Sequence, residues 1–169
     1  MRGPLPAVIL VVVLACAAVA SGGCGFRLRG EAHLPPAMSV TYLDGAGGTG
    51  GLGMGLRAAL QNAGVTVTTD RSQATAILNT LDYRSGRRVL SVNASGKVQE
   101  YQLYSLFVFE VKDAKGNIIT PRQSVSLARN FFFNQDDVLG MVNEQDSIQQ
   151  EMNRDLVRLA ILRLEASGR

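Results

Sequence analysis

The sequence predicts an α+β fold, a two-layer α/β sandwich in which two helices pack on a mostly antiparallel sheet of four to five strands. Three observations carry that expectation. An amphipathic helical stretch lies between two short strand-like runs, three long alternating segments come next with glycine turns between them, and a second, longer helical stripe comes after these.

Residues 1–23 have the layout of a lipoprotein signal peptide: one basic residue, Arg2, an apolar run from Leu5 to Ala20 broken only by Pro6, then small residues. The run is shorter than the ~20 apolar residues that span a bilayer comfortably, and no basic cluster follows it, so a retained helix is the weaker alternative. The 169 residues less those 23 leave 146, enough for one domain with a real core. Removing the leader takes away Arg2 alone and lowers the formal charge of +3 by one, to +2. That mild excess gives no reason to expect nucleic acid.

Two cysteines are candidates for the lipidated first residue of the mature chain. Cys24 follows Ser21-Gly22-Gly23, and Cys16 follows Val13-Leu14-Ala15, an arrangement closer to the usual lipoprotein site. Cleavage before Cys16 leaves a very short apolar region, which favours Cys24, with Cys16 as the alternative. The mature chain then has no partner for an intrachain disulfide, and an acylated sulfur is no nucleophile. The next residue, Gly25, differs from the Asp that retains lipoproteins at the inner membrane, so an outer-membrane destination is expected.

Residues 24–37 read as an anchored, extended segment, because Phe26 and Leu28 alternate with Arg27 and Arg29 and because Pro35 and Pro36 stiffen the chain just before the first strand. A single domain is expected over 38–166. Its first strand is Met38–Leu43. The glycine-rich run 44–53 lacks the Gly-Lys-Ser/Thr of a phosphate loop and does not complete a dinucleotide pattern, so it is a connection, with Thr49 as a possible N-cap. From Leu52 to Ala63, apolar residues at 52, 56, 59, 60 and 63 mark one helical face, and Gly64 is placed to stop it. Val65–Thr69 follows as a strand expected to run parallel to the first.

Ala74–Tyr83 and Val89–Asn93 read as extended, with a bend or bulge at Ser85-Gly86. Ser95-Gly96 turns the chain into Val98–Val111, and Lys115-Gly116-Asn117 turns it into Ile118–Phe133, which makes an antiparallel meander. Tyr101, Leu103, Phe107, Phe109 and Val111 share one face of the middle strand, and Tyr104, Leu106 and Val108 share the other. Either both faces are covered within the molecule, the favoured reading, or a partner hides one. Phe131-Phe132-Phe133 cannot all point to one side of a strand, so at least one ring belongs at an edge or on a partner. A helix then runs to about Glu165, capped by Asn134 with Asp137 or by Asn143 with Asp146, its stripe marked by Ile148, Met152, Leu156, Leu159 and Arg163.

The chemistry that is missing narrows the function. His33 is the only histidine, which argues against a Cys/His or Ser/His hydrolase and a His-rich metal site. The acids around Asn143-Glu144-Gln145-Asp146 read as a solvated first turn. No enzyme, cofactor or metal is expected. The basic set Arg84, Arg87, Arg88 and Lys97 gathers on one hairpin and is expected to converge near its turn as an anion-facing tip.

Cys24-Gly25-Phe26-Arg27-Leu28-Arg29-Gly30, Val98-Gln99-Glu100-Tyr101-Gln102-Leu103, and Arg129-Asn130-Phe131-Phe132-Phe133 followed by Asn143-Glu144-Gln145-Asp146 together resemble the lipopolysaccharide-assembly lipoprotein family LptE, in order along the whole mature chain. The resemblance implies an outer-membrane lipoprotein of the same two-layer architecture. Such a protein sits inside the large β-barrel LptD and helps deliver lipopolysaccharide to the outer leaflet. It makes Tyr101, Phe131, Phe132 and Phe133 candidate barrel contacts. The phosphates of lipopolysaccharide make Arg84, Arg87, Arg88 and Lys97 candidate headgroup contacts, on grounds of charge and not of a matched motif. A lipoprotein that binds lipid or lipopolysaccharide without a barrel is the alternative.

Overall fold

The computed structural model describes residues 34–45, 50–133 and 138–168. The expectations for the leader, for Cys16 and Cys24, for Arg27 and Arg29, for Thr49, and for a cap at Asn134 with Asp137 fall outside those residues. The elements are β1 (Val40–Asp44), α1 (Gly50–Asn62), β2 (Thr66–Thr68), β3 (Ala76–Val92), β4 (Val98–Asp113), β5 (Ile118–Phe132) and α2 (Val138–Ser167).

One five-stranded sheet has the order β2-β1-β3-β4-β5. β1 pairs in parallel with β2 and β3, while β3, β4 and β5 form the antiparallel meander. The parallel β1–β2 pair follows from the β-α-β connection through α1, whose crossover returns the chain in the same direction. Both hairpin turns share one design. The Asn93 side-chain oxygen accepts from the Ser95 and Lys97 amides at 2.9 and 3.0 Å, and an Asp113 oxygen accepts from the Lys115 and Asn117 amides at 2.8 Å each. Gly96 and Gly116 take positive φ (76° and 91°), the left-handed backbone that glycine enters without a steric penalty.

Both helices lie on the same side of the sheet. Leu52, Leu56 and Leu60 of α1 and Leu156, Val157, Ala160 and Leu164 of α2 meet Leu43, Ala76, Leu78, Phe107, Phe109, Val111 and Val125 in the larger core. A smaller core of Leu103, Phe131, Met141 and Met152 lies further along the hairpins, under the first half of α2 alone. Burying a large apolar side chain stabilises by about 1.5–3 kcal/mol, so the larger cluster dominates the fold.

Three expectations need correction. β3 is continuous through Ser85-Gly86; its irregularities lie between Thr80 and Asp82 and between Val89 and Val92. Gly86 is regularly paired opposite Tyr104, whose hydroxyl would lie 2.8 Å from a Cβ there, so this glycine accommodates a ring and does not bend the strand. Asn143 is inside α2 and cannot cap it. Finally, among the described residues no helix covers the second face of β4: Tyr104 is exposed and Leu106 half-buried, although Val108 is buried between its neighbours.

Candidate interaction surface

Strand alternation sorts the basic residues onto opposite faces of the sheet. In the β3–β4 register, Arg84 is opposite Leu106 and Arg88 opposite Gln102, on the helix-free face, whereas Arg87 is opposite Leu103, on the helix face. The expected convergence of Arg84, Arg87, Arg88 and Lys97 near the turn therefore does not occur. Only Arg84 and Arg88 share a face within the strand, and Lys97 lies in the turn itself, where its amide bonds to Asn93.

Each arginine has a different environment. Arg87 lies 4.9 Å over the Tyr101 ring and donates to Gln145 of α2 at 2.8 Å, so it clasps sheet to helix. Arg84 forms a two-pronged pair with Asp82, at 3.1 and 3.0 Å, which satisfies its charge within its own strand. Arg88 donates through Nε and Nη2 to the Gln102 side-chain oxygen, and Gln102 in turn donates to Asn130 at 2.9 Å. That rung crosses β3, β4 and β5. Its acceptors are neutral amides, so the guanidinium keeps its full charge at the surface, suited to an oxyanion such as phosphate.

The three phenylalanines separate in the same way. Phe131 is 4% exposed, stacked 5.7 Å from Tyr101 and buried with Leu103, while Phe133 meets Tyr101 edge-on at 5.4 Å. Phe131 is thus a core residue and not the surface anchor expected of it, because the residue opposite Tyr101 must point beneath α2. Phe132 points the other way and is 76% exposed. Beside it a hollow of about 310 Å³ is lined by Ser91, Gln99, Glu100, Phe132 and Phe133. Among the four aromatic contacts expected from the sequence, Phe132 is the one fully presented to a partner.

An apolar group at the end of β3, next to this surface, was missed. Val89, Leu90 and Val92 are all exposed, around the irregular pairing of β3 with β4. Leu90 falls where β3 carries an extra residue, so simple alternation assigns it to neither face, and no sequence signal marks the irregularity. The Gln102–Asn130 rung was also missed: Asn130 falls on the polar phase of β5, but Gln102 shares its face of β4 with Tyr104, Leu106 and Val108.

Among the described residues, two carboxyl groups titrate below their ordinary range, both at the start of turns. Asp113 is held down chiefly by the Asn117 side-chain bond, and Asp70 chiefly by the Ser72 hydroxyl. Neither belongs to the surface described above.

Comparison with known proteins gives one consistent answer. A family model described as LptE, lipopolysaccharide-assembly, matches residues 38–164. The LPS-assembly lipoprotein LptE of Pectobacterium atrosepticum is 30% identical over 157 residues, covering 92% of this chain and 84% of the relative. The protein of the same name from Photorhabdus laumondii is 29% identical over 156 residues, covering 92% and 85%. Among solved structures, a minor lipoprotein from Acinetobacter baumannii superposes with a TM-score of 0.63 at 25% identity, covering 76% of this chain and 92% of that one. Lipoprotein B from Nitrosomonas europaea shares the fold with a TM-score of 0.67 at 23% identity, covering 82% and 88%.

Proposed function

The chain belongs to the LptE lipopolysaccharide-assembly family, and from that premise we propose that it is an outer-membrane lipoprotein that plugs and helps assemble an LptD-like β-barrel and assists lipopolysaccharide delivery to the outer leaflet. In this reading residues 1–23 are a signal peptide removed before acylated Cys24, residues 24–37 link the anchor to the domain, and the work is non-enzymatic. The observation that carries it is the family match over residues 38–164, which takes in every strand and nearly all of α2. In this reading the barrel wall meets the helix-free sheet face with Phe132, together with Val89, Leu90 and Val92, which are exposed at the end of β3 beyond the helices; fully buried apolar anchors dominate such interfaces.

The test is to purify the mature, full-length lipoprotein from envelopes. A much larger β-barrel protein should come with it, and depletion should lower surface lipopolysaccharide. Recovery of the protein alone, with surface lipopolysaccharide unchanged, overturns the reading.

Within the same reading, Arg88, with Lys97, contacts lipopolysaccharide phosphates, supported by the rung that holds Arg88 on the open face; Arg84, already paired with Asp82, leaves the set of candidates. Arg87 drops out of that set, because its guanidinium is engaged with Tyr101 and Gln145. Arg88→Glu should weaken binding of purified lipopolysaccharide to the full-length protein while leaving barrel recovery intact. Unchanged binding removes Arg88 from the contact set.

A further inference from the structure

α2 is one unbroken helix of 30 residues, about 45 Å long, yet its two halves are held very differently. Leu156, Val157, Ala160 and Leu164 belong to the larger core, where α1 packs beside them. Between Gly140 and Gln150, Met141 alone is buried. Ile148 packs in part, and Gln145 accepts from the exposed Arg87.

A polar seam divides the halves. Gln149 donates to the buried Ser105 at 3.1 Å and to the Asn153 side-chain oxygen at 3.3 Å, and the Tyr83 hydroxyl donates to that same oxygen at 3.3 Å. Ser105 sits between Leu103 of the smaller core and Phe107 of the larger one, so the apolar floor is interrupted on the strand as well as on the helix. Water replaces such hydrogen bonds at a net loss of only about 0.5–1.5 kcal/mol each, whereas nothing in water replaces the packing of Leu156.

We infer that residues 138–149 form a strap that lifts from the sheet as a unit while the rest of α2 stays docked, uncovering Leu103 and Phe131 with Tyr101 and Phe133 at their side. The seam is the line along which it opens. The β4–β5 ladder beneath is paired along its length and stays closed when the strap lifts.

Hydrogen exchange of the full-length lipoprotein in detergent, across a series of low denaturant concentrations, tests this. Amides 142–149 should exchange about a hundredfold faster than amides 156–164 and share one denaturant slope, because a cooperative opening exposes the apolar floor. Equal protection in both halves overturns the inference. So does exchange that accelerates residue by residue towards 142 with no denaturant slope, which is ordinary end fraying. Combining Ser105→Ala with Gln149→Leu makes the seam apolar, and exchange at 142–149 should slow about tenfold with 156–164 unchanged. Unchanged or faster exchange at 142–149 in that variant counts against the seam as the opening line.

Discussion

The two ends of the sheet are built from the same three long strands but are sealed differently. At one end five strands meet both helices over a broad core; at the other, side chains of β4 and β5 meet half of one helix in a cluster of four buried residues, two of them methionines. The thinner end carries the Arg88 rung, the exposed Phe132 and the apolar group at Val89–Val92. The division has a physical logic, since a surface that must fit another molecule cannot also be covered by its own helices, and the core elsewhere has to hold the fold together.

Breaking the larger core should have the greatest effect. Phe107 is fully buried and stacked 4.9 Å from Phe109. Phe107→Ala should cost about 4 kcal/mol, read from the urea midpoint of the full-length protein in detergent. Phe131→Ala should cost less, about 2–3 kcal/mol, because Met141 and Met152 are flexible enough to close over part of the space. Equal losses from the two changes would erase the distinction between the ends. Gly55→Leu pushes against Val157, which a Cβ at that glycine already approaches to 3.0 Å. About 2 kcal/mol should be lost through separation of α1 from α2.

The next change sharpens the contrast by separating stability from binding. Phe132→Ser should alter stability by no more than about 0.5 kcal/mol, since the ring is exposed, yet reduce recovery of the barrel protein. A large loss of stability with unaffected recovery would place Phe132 with the core and not with the surface. The smallest effect is expected at Asp113. Its folded pKa lies below the ordinary 3.8, so its contribution is fully present above that value and is lost as pH falls through the folded one. Asp113→Asn, which does not titrate, should flatten the fall of stability below roughly pH 4.

Much of this was legible in the chain. Gly64, Gly96 and Gly116 mark the turns, and the period of the apolar residues gives the helices and the meander, because those signals are local. The faces of Arg84, Arg87 and Arg88 and of the three phenylalanines also follow from alternation once the register is known. The register itself was not legible. Ser85-Gly86 looks like a break, but pairing with Ser105 and Tyr104 holds it in the strand. The division of α2 was hidden too, since Gln149 and Asn153 gain their meaning only from Ser105 and Tyr83, which are distant in sequence. Nor could the sequence decide which face of β4 stays bare, because apolar residues occur on both.

The position of α2 in the chain sets a condition on when this protein can fold. Every strand is synthesised before α2, and both clusters of buried side chains require it. Until α2 arrives, the smaller cluster has no lid and the larger one has only α1, so the meander cannot settle into a stable globule. That delay keeps the nascent polypeptide threadable, a useful property for any chain that must cross a membrane as an open strand before it takes its shape.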